Sequence, residues 1–150
     1  MKLTKLTTLM LAGVLSLSAA ATALADTPLT AEQAVAARQA AMKADGRALK
    51  GSFSLSGDAA VAALTAVEGN YTKLPSLFTK DSITDKSDAL PVIWQQFDKF
   101  QAIFAKGAAA ATDGIAAAKA GDTAKYQADI KIIGGTCDEC HTTFRAKKGG

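Results

Sequence analysis

Cys137-Asp138-Glu139-Cys140-His141 decides how the rest of this chain is read. It contains both cysteines and the single histidine of the 150 residues. Cys-x-x-Cys-His is the pattern by which two thiols attach to the two vinyl groups of a haem, while the adjacent histidine ligates the iron. On a helix the two cysteines share one face about one turn apart, which matches the vinyl spacing. A structural zinc site would need a fourth ligand, and the chain has no further Cys or His to supply it. A thioredoxin-like redox pair would follow a strand, and no strand pattern precedes Cys137. A plain Cys137–Cys140 disulfide would leave His141 without a role. The motif therefore points to one covalently attached haem c, with Cys137 and Cys140 as thioether positions and His141 as proximal iron ligand.

Working outward, the first 25 residues read as a secretory signal peptide. Lys2 and Lys5 give the positive start, Leu6–Leu17 the short apolar core, and Ala23-Leu24-Ala25 the small-x-small cleavage site. Ser16 and Ser18 interrupt the apolar run too soon for a membrane span, so no membrane insertion is expected. The expected domains are thus a removed segment, 1–25, and a haem-binding unit, 26–150, exported to the periplasm. Losing Lys2 and Lys5 takes 17 basic residues to 15 against 14 acidic ones, a balance that implies no nucleic-acid partner.

Four helices are predicted after residue 26. The first spans about Ala31–Lys50, with Thr30 and Gln33 as a capping box. The second spans about Asp58–Tyr71, with Ala60, Leu64, Val67 and Tyr71 at helical spacing. A Ser/Thr/Asp/Lys-rich connection, Thr72–Ala89, follows. The third helix starts near Leu90 with Pro91 in its first turn and an apolar stripe of Ile93, Phe97, Phe100 and Phe104. Gly114 and Gly121-Asp122 are read as the next turn region. The fourth helix, about Thr123–Ala146, places Tyr126, Ile130, Ile133, Cys137, Cys140, His141 and Phe144 along one face. Gly134-Gly135 lowers helix stability just before the motif. The expected fold is all-α, an antiparallel four-helix bundle enclosing one covalently bound haem.

The sixth iron position could go to Met, Lys, a terminal amine, a small molecule or nothing. Met42 is the only methionine after residue 26, and it shares the first helix's apolar stripe with Val35 and Leu49. By itself that register fits a core-filling side chain as well as a ligand.

The run His141-Thr142-Thr143-Phe144-Arg145 resembles the class II c-type cytochromes, the cytochrome c′ proteins and their low-spin relatives. Arg38-Gln39, Ile93-Trp94 with Phe97 and Phe100, and Gly134-Gly135-Thr136 extend the resemblance over essentially the whole of 26–150. In that family a non-ligating residue four positions after the arginine leaves the iron five-coordinate and able to take NO or CO. A methionine there ligates the iron, and Arg38-Gln39-Ala40-Ala41-Met42 is similar to this low-spin, cytochrome c-556-like branch. The resemblance thus implies Met42 as distal ligand, Arg38 and Gln39 at the haem propionates, and Arg145 near the proximal histidine. It further implies an electron carrier that is not an enzyme and that exchanges electrons with periplasmic or membrane-bound redox proteins. The alternative is a high-spin cytochrome c′ binding NO or CO at an open distal site. Members are often homodimers through their first two helices.

Overall fold

A computed structural model describes residues 28–147; the expected signal peptide lies outside them. Helix α1, Ala31–Ser52, begins at the expected capping box. Thr30 Oγ1 accepts from Gln33 N at 3.2 Å, and Thr30 N donates to Gln33 Oε1 at 2.9 Å. Helix α2, Gly57–Lys73, buries Ala60, Leu64, Val67 and Tyr71 as the spacing predicts. A short 3₁₀ turn, Leu74–Leu77, then opens the long connection.

The third expected helix is two. Val92–Gln95 forms a single turn, α3, and Phe97–Ala120 forms α4. Gln96 between them leaves helical geometry at φ −127°, ψ 41°. The segment before the break is held from outside: Trp94 Nε1 donates to Phe78 O at 2.9 Å, and Leu90 N donates to Phe144 O at 3.0 Å. Gly114 does not mark a turn; it is buried within α4, and its missing Cβ admits Leu64 and Asp129. The turn falls at Gly121, whose φ of +73° suits glycine. Asp122 then caps α5, Thr123–Phe144, by accepting from Lys125 N at 2.9 Å. That helix ends at Phe144, short of the expected Ala146, because Arg145 turns extended to form an isolated antiparallel bridge with Ala89.

Helices α1, α2, α4 and α5 make the four-helix bundle. Helix α4 packs closely on both α2 and α5, whereas α1 leans on α2 and touches α5 sparingly. Phe100 is the hub of the aromatic core, edge-on to Phe78, Phe104 and Phe144 at 4.7, 5.1 and 5.3 Å between ring centres. The loose α1–α5 seam is where the bundle leaves room for a guest.

One buried carboxyl sits on α1. Asp45 is 5 % exposed, accepts from Asn70 Nδ2 at 2.6 Å, and burial raises its pKa although that hydrogen bond lowers it. A carboxyl whose folded pKa is raised binds more protons folded than unfolded, so stability falls as pH rises from the unfolded value through the folded one. Asp45→Asn is expected to remove that component. The difference in unfolding free energy between wild type and variant should then shrink toward acid pH and grow across that window.

A candidate haem site between the first and last helices

The α1–α5 seam encloses a cavity of about 400 Å³, within the range of roughly 300–1,000 Å³ usual for small-molecule sites. Cys140, His141, Phe144 and Arg145 line it from α5 and the residue beyond, and Arg38, Gln39, Met42 and Lys43 line it from α1. Phe78, Ile93 and Phe100 supply apolar walls. Six of the seven residues singled out in the sequence thus converge: Cys140, His141, Met42, Arg38, Gln39 and Arg145. Met42 and His141 face one space from different helices.

Cys137 is the seventh, and it is not in the cavity lining. Its Sγ lies 3.4 Å from the Tyr71 hydroxyl and 3.8 Å from the Ile133 carbonyl. Both cysteines are free thiols. Burial, then the charges of Cys137 and Glu139, push the Cys140 thiol up to about 11. Burial, with Arg145 adding to it and Asp138 opposing, lowers the His141 pKa. The neutral imidazole so favoured is the form that ligates a metal.

Arg38 is 3 % exposed and cross-links the connection before α3. Nη1 donates to Leu77 O at 3.1 Å and Ser82 Oγ at 2.7 Å; Nη2 donates to Ser82 O at 2.8 Å and Ser87 Oγ at 2.6 Å. Its guanidinium carbon also lies 4.4 Å from the Phe78 ring centre. Only the Nε–H is left without a protein acceptor among the described residues. Gln39 Nε2 donates to Lys86 O at 2.8 Å, and Arg145 Nε lies 3.6 Å from Asp88 Oδ2. The sequence reading missed Phe78, Ser82, Ser87 and Asp88, which build the wall these side chains hold. It missed as well the contact of Tyr71 with Cys137. Polar loop composition carries no signal for the first, and the helical spacing that buries Tyr71 does not say which residue of α5 its hydroxyl meets.

The donor set fits a covalent haem: two free thiols one turn apart, a neutral-leaning histidine beside the second, and an apolar-walled cavity reaching across to a thioether. Comparison with known proteins gives the same answer. The family model for cytochrome c′ matches residues 29–145.

The chain belongs to the cytochrome c′ family.

The chain is 39 % identical to a cytochrome c′ of Rhodopseudomonas palustris, the alignment covering 76 % of this chain and 82 % of that one. It is 36 % identical to a cytochrome c-556 of Agrobacterium tumefaciens, over 66 % of this chain and 80 % of that one. Among solved structures, a nitric oxide complex of a mutant cytochrome c prime from Alcaligenes xylosoxidans superposes with a TM-score of 0.67 at 25 % identity, covering 81 % and 100 % of the two chains. The family binds one covalently attached haem c. The relatives carry both names, cytochrome c′ and cytochrome c-556.

Attachment through the two thiols has a direct check. Replacing Cys137 and Cys140 together with alanine should give a chain whose haem is extracted completely by acidified organic solvent. The wild-type chain should retain its haem through denaturing electrophoresis.

Proposed function

We propose that this chain is a periplasmic single-haem electron carrier, with His141 and Met42 as the two axial ligands and Cys137 and Cys140 as the thioether positions. The observation that carries this reading is that Met42 and His141 line one cavity from opposite helices. Bound there, the haem would supply a one-electron iron centre whose potential is raised by Met/His ligation. The chain's own residues set its environment. Phe78, Phe100 and Phe144 keep the cavity apolar, and Arg38, Lys43 and Arg145 place positive charge around its rim for the propionates. Arg38 would address a propionate through its remaining Nε–H, with Gln39 beside it. His141 is the chain's single histidine and this reading commits it to the iron, so no histidine remains for acid–base catalysis, and the reading is of a carrier and not an enzyme. No helix among the described residues is long and apolar enough to cross a membrane. Ala23-Leu24-Ala25 supports export, and redox proteins of the periplasm or its membrane are the partners this reading calls for. A homodimer through α1 and α2 belongs to the same proposal.

A second reading has specific support. The names of the relatives back an open, gas-binding site better than a closed one: the Rhodopseudomonas relative is a cytochrome c′, and the Alcaligenes structure holds nitric oxide. Carbon monoxide added to the ferrous holoprotein separates the two. A Met42-ligated centre leaves the spectrum unchanged on mixing; an open site shifts it at once.

A further inference from the structure

A chain of buried hydrogen bonds ties α2 to the attachment turn of α5. The Tyr71 hydroxyl lies 3.0 Å from Thr136 Oγ1 and 3.4 Å from Cys137 Sγ, and Thr136 Oγ1 donates to Ile133 O at 2.6 Å. Counting protons gives the chain a direction. Thr136 has one hydroxyl proton, and the Ile133 carbonyl takes it. Tyr71 must then donate to Thr136. The thiol has two acceptors in reach, Ile133 O at 3.8 Å and Tyr71 Oη at 3.4 Å. The two lone pairs of that carbonyl already take the Thr136 hydroxyl and the helical N–H of Cys137, so the thiol is the donor to Tyr71 Oη. Tyr71 is 5 % exposed and Thr136 is 1 % exposed, so water does not compete for these bonds.

The position of Tyr71 is built in from a third helix. Its ring lies over Gly107 of α4, where a Cβ would collide with it, and packs edge-on to Phe104 at 5.6 Å. Three helices therefore fix where the hydroxyl sits relative to the Cys137 sulfur.

Haem attachment removes the donor at the head of this chain. The S–H bond adds across a vinyl C=C: sulfur bonds to one carbon, the proton goes to the other, and no oxidant or reductant is needed. A thioether sulfur can only accept. The contact with Tyr71 then persists in one arrangement: Tyr71 donates to sulfur, and Thr136 turns its proton from Ile133 O to Tyr71 Oη. The Ile133 carbonyl keeps the helical N–H of Cys137. We propose that attachment reverses this hydrogen-bond chain and leaves Tyr71 as a positioning residue whose hydroxyl donates to the Cys137 thioether sulfur. A donor at that sulfur draws electron density from the haem edge and favours the reduced iron. The inference rests on covalent attachment and holds whether or not Met42 is a ligand.

The test is the midpoint potential of three holoproteins. Tyr71→Phe deletes only the hydroxyl and should lower the equilibrium constant for reduction about twofold, which is about 20 mV at 59 mV per tenfold for one electron. Thr136→Val disturbs the same buried spot but leaves Tyr71 facing the sulfur, so its potential should stay at the wild-type value. An unchanged potential in Tyr71→Phe, or equal shifts in both variants, would overturn the assignment. The native ferrous holoprotein offers a check independent of any variant, read as its CO adduct if the sixth position is open. A slowly exchanging Tyr71 hydroxyl proton with stronger cross-relaxation to the Cys137 β-protons than to Thr136 supports the reversed chain, and the opposite pattern refutes it.

Discussion

Met42→Leu holoprotein is expected to be high-spin, to bind carbon monoxide promptly when ferrous, and to have a lower reduction potential than wild type. The substitution is close to volume-conserving, and Met42 is a partly buried residue at the edge of the core. Its stability cost should stay below about 1.5 kcal/mol, and the proposed thioethers at Cys137 and Cys140 would hold the haem regardless. The spectroscopic change therefore reports on the ligand and not on the fold. If the sulfur-bound form outweighs the open form about a hundredfold, an exogenous ligand meets a competent site only about 1 % of the time, and its affinity is reduced by the same factor. Leucine removes that competition, so the carbon monoxide affinity should rise on the order of 100-fold. An unaltered spectrum and affinity in Met42→Leu would return Met42 to the role of core filler.

Arg38→Ala is expected to be strongly destabilising, by roughly 3–4 kcal/mol in urea unfolding of the holoprotein. The guanidinium makes four hydrogen bonds to Leu77, Ser82 and Ser87, and Ser82 is fully buried with it. Alanine would strand the two carbonyls and leave the Ser87 hydroxyl with only the longer bond from Ala89 N, at 3.2 Å. It would leave a void beside Phe78 as well. Against a typical total of about 5–15 kcal/mol, that loss is large. Arg38→Lys should recover only part of it, because an ammonium cannot span the four acceptors that the planar fork reaches. A cost under about 1 kcal/mol for the alanine variant would mean that the connection holds its shape without Arg38.

Those four bonds also show where reading the sequence stops. The acceptors are backbone carbonyls and serine hydroxyls some 40 residues along the chain, and a carbonyl has no signature in the sequence. From residues alone Arg38 could be placed on the first helix and, by family resemblance, beside the propionates. Its partners in the loop could not be found. The four bundle helices were legible because Thr30, Gln33, Gly121 and Asp122 mark their ends and the apolar period fixes their inward faces. The convergence of Met42 with His141 followed from the same register, Val35 to Met42 to Leu49. Gly114 was misread because a glycine in an alanine-rich run looks like a stop, whereas here its missing side chain admits Leu64 and Asp129 from neighbouring helices. The break at Gln96 was invisible for a related reason: the residues that hold α3 apart from α4 are Phe78 and Phe144, far away in sequence.

The most direct measurement is the proton NMR spectrum of the ferrous wild-type holoprotein, read for the ε-methyl of Met42, the single methionine after residue 26. A thioether bound to low-spin iron holds that methyl against the porphyrin face, where the ring current carries it far upfield of every other methyl in the protein. One such upfield three-proton line, lost in Met42→Leu, is the expected result. A Met42 methyl in the ordinary aliphatic region, with paramagnetically spread haem signals from a high-spin iron, would contradict His141/Met42 ligation and make this chain a gas-binding cytochrome c′.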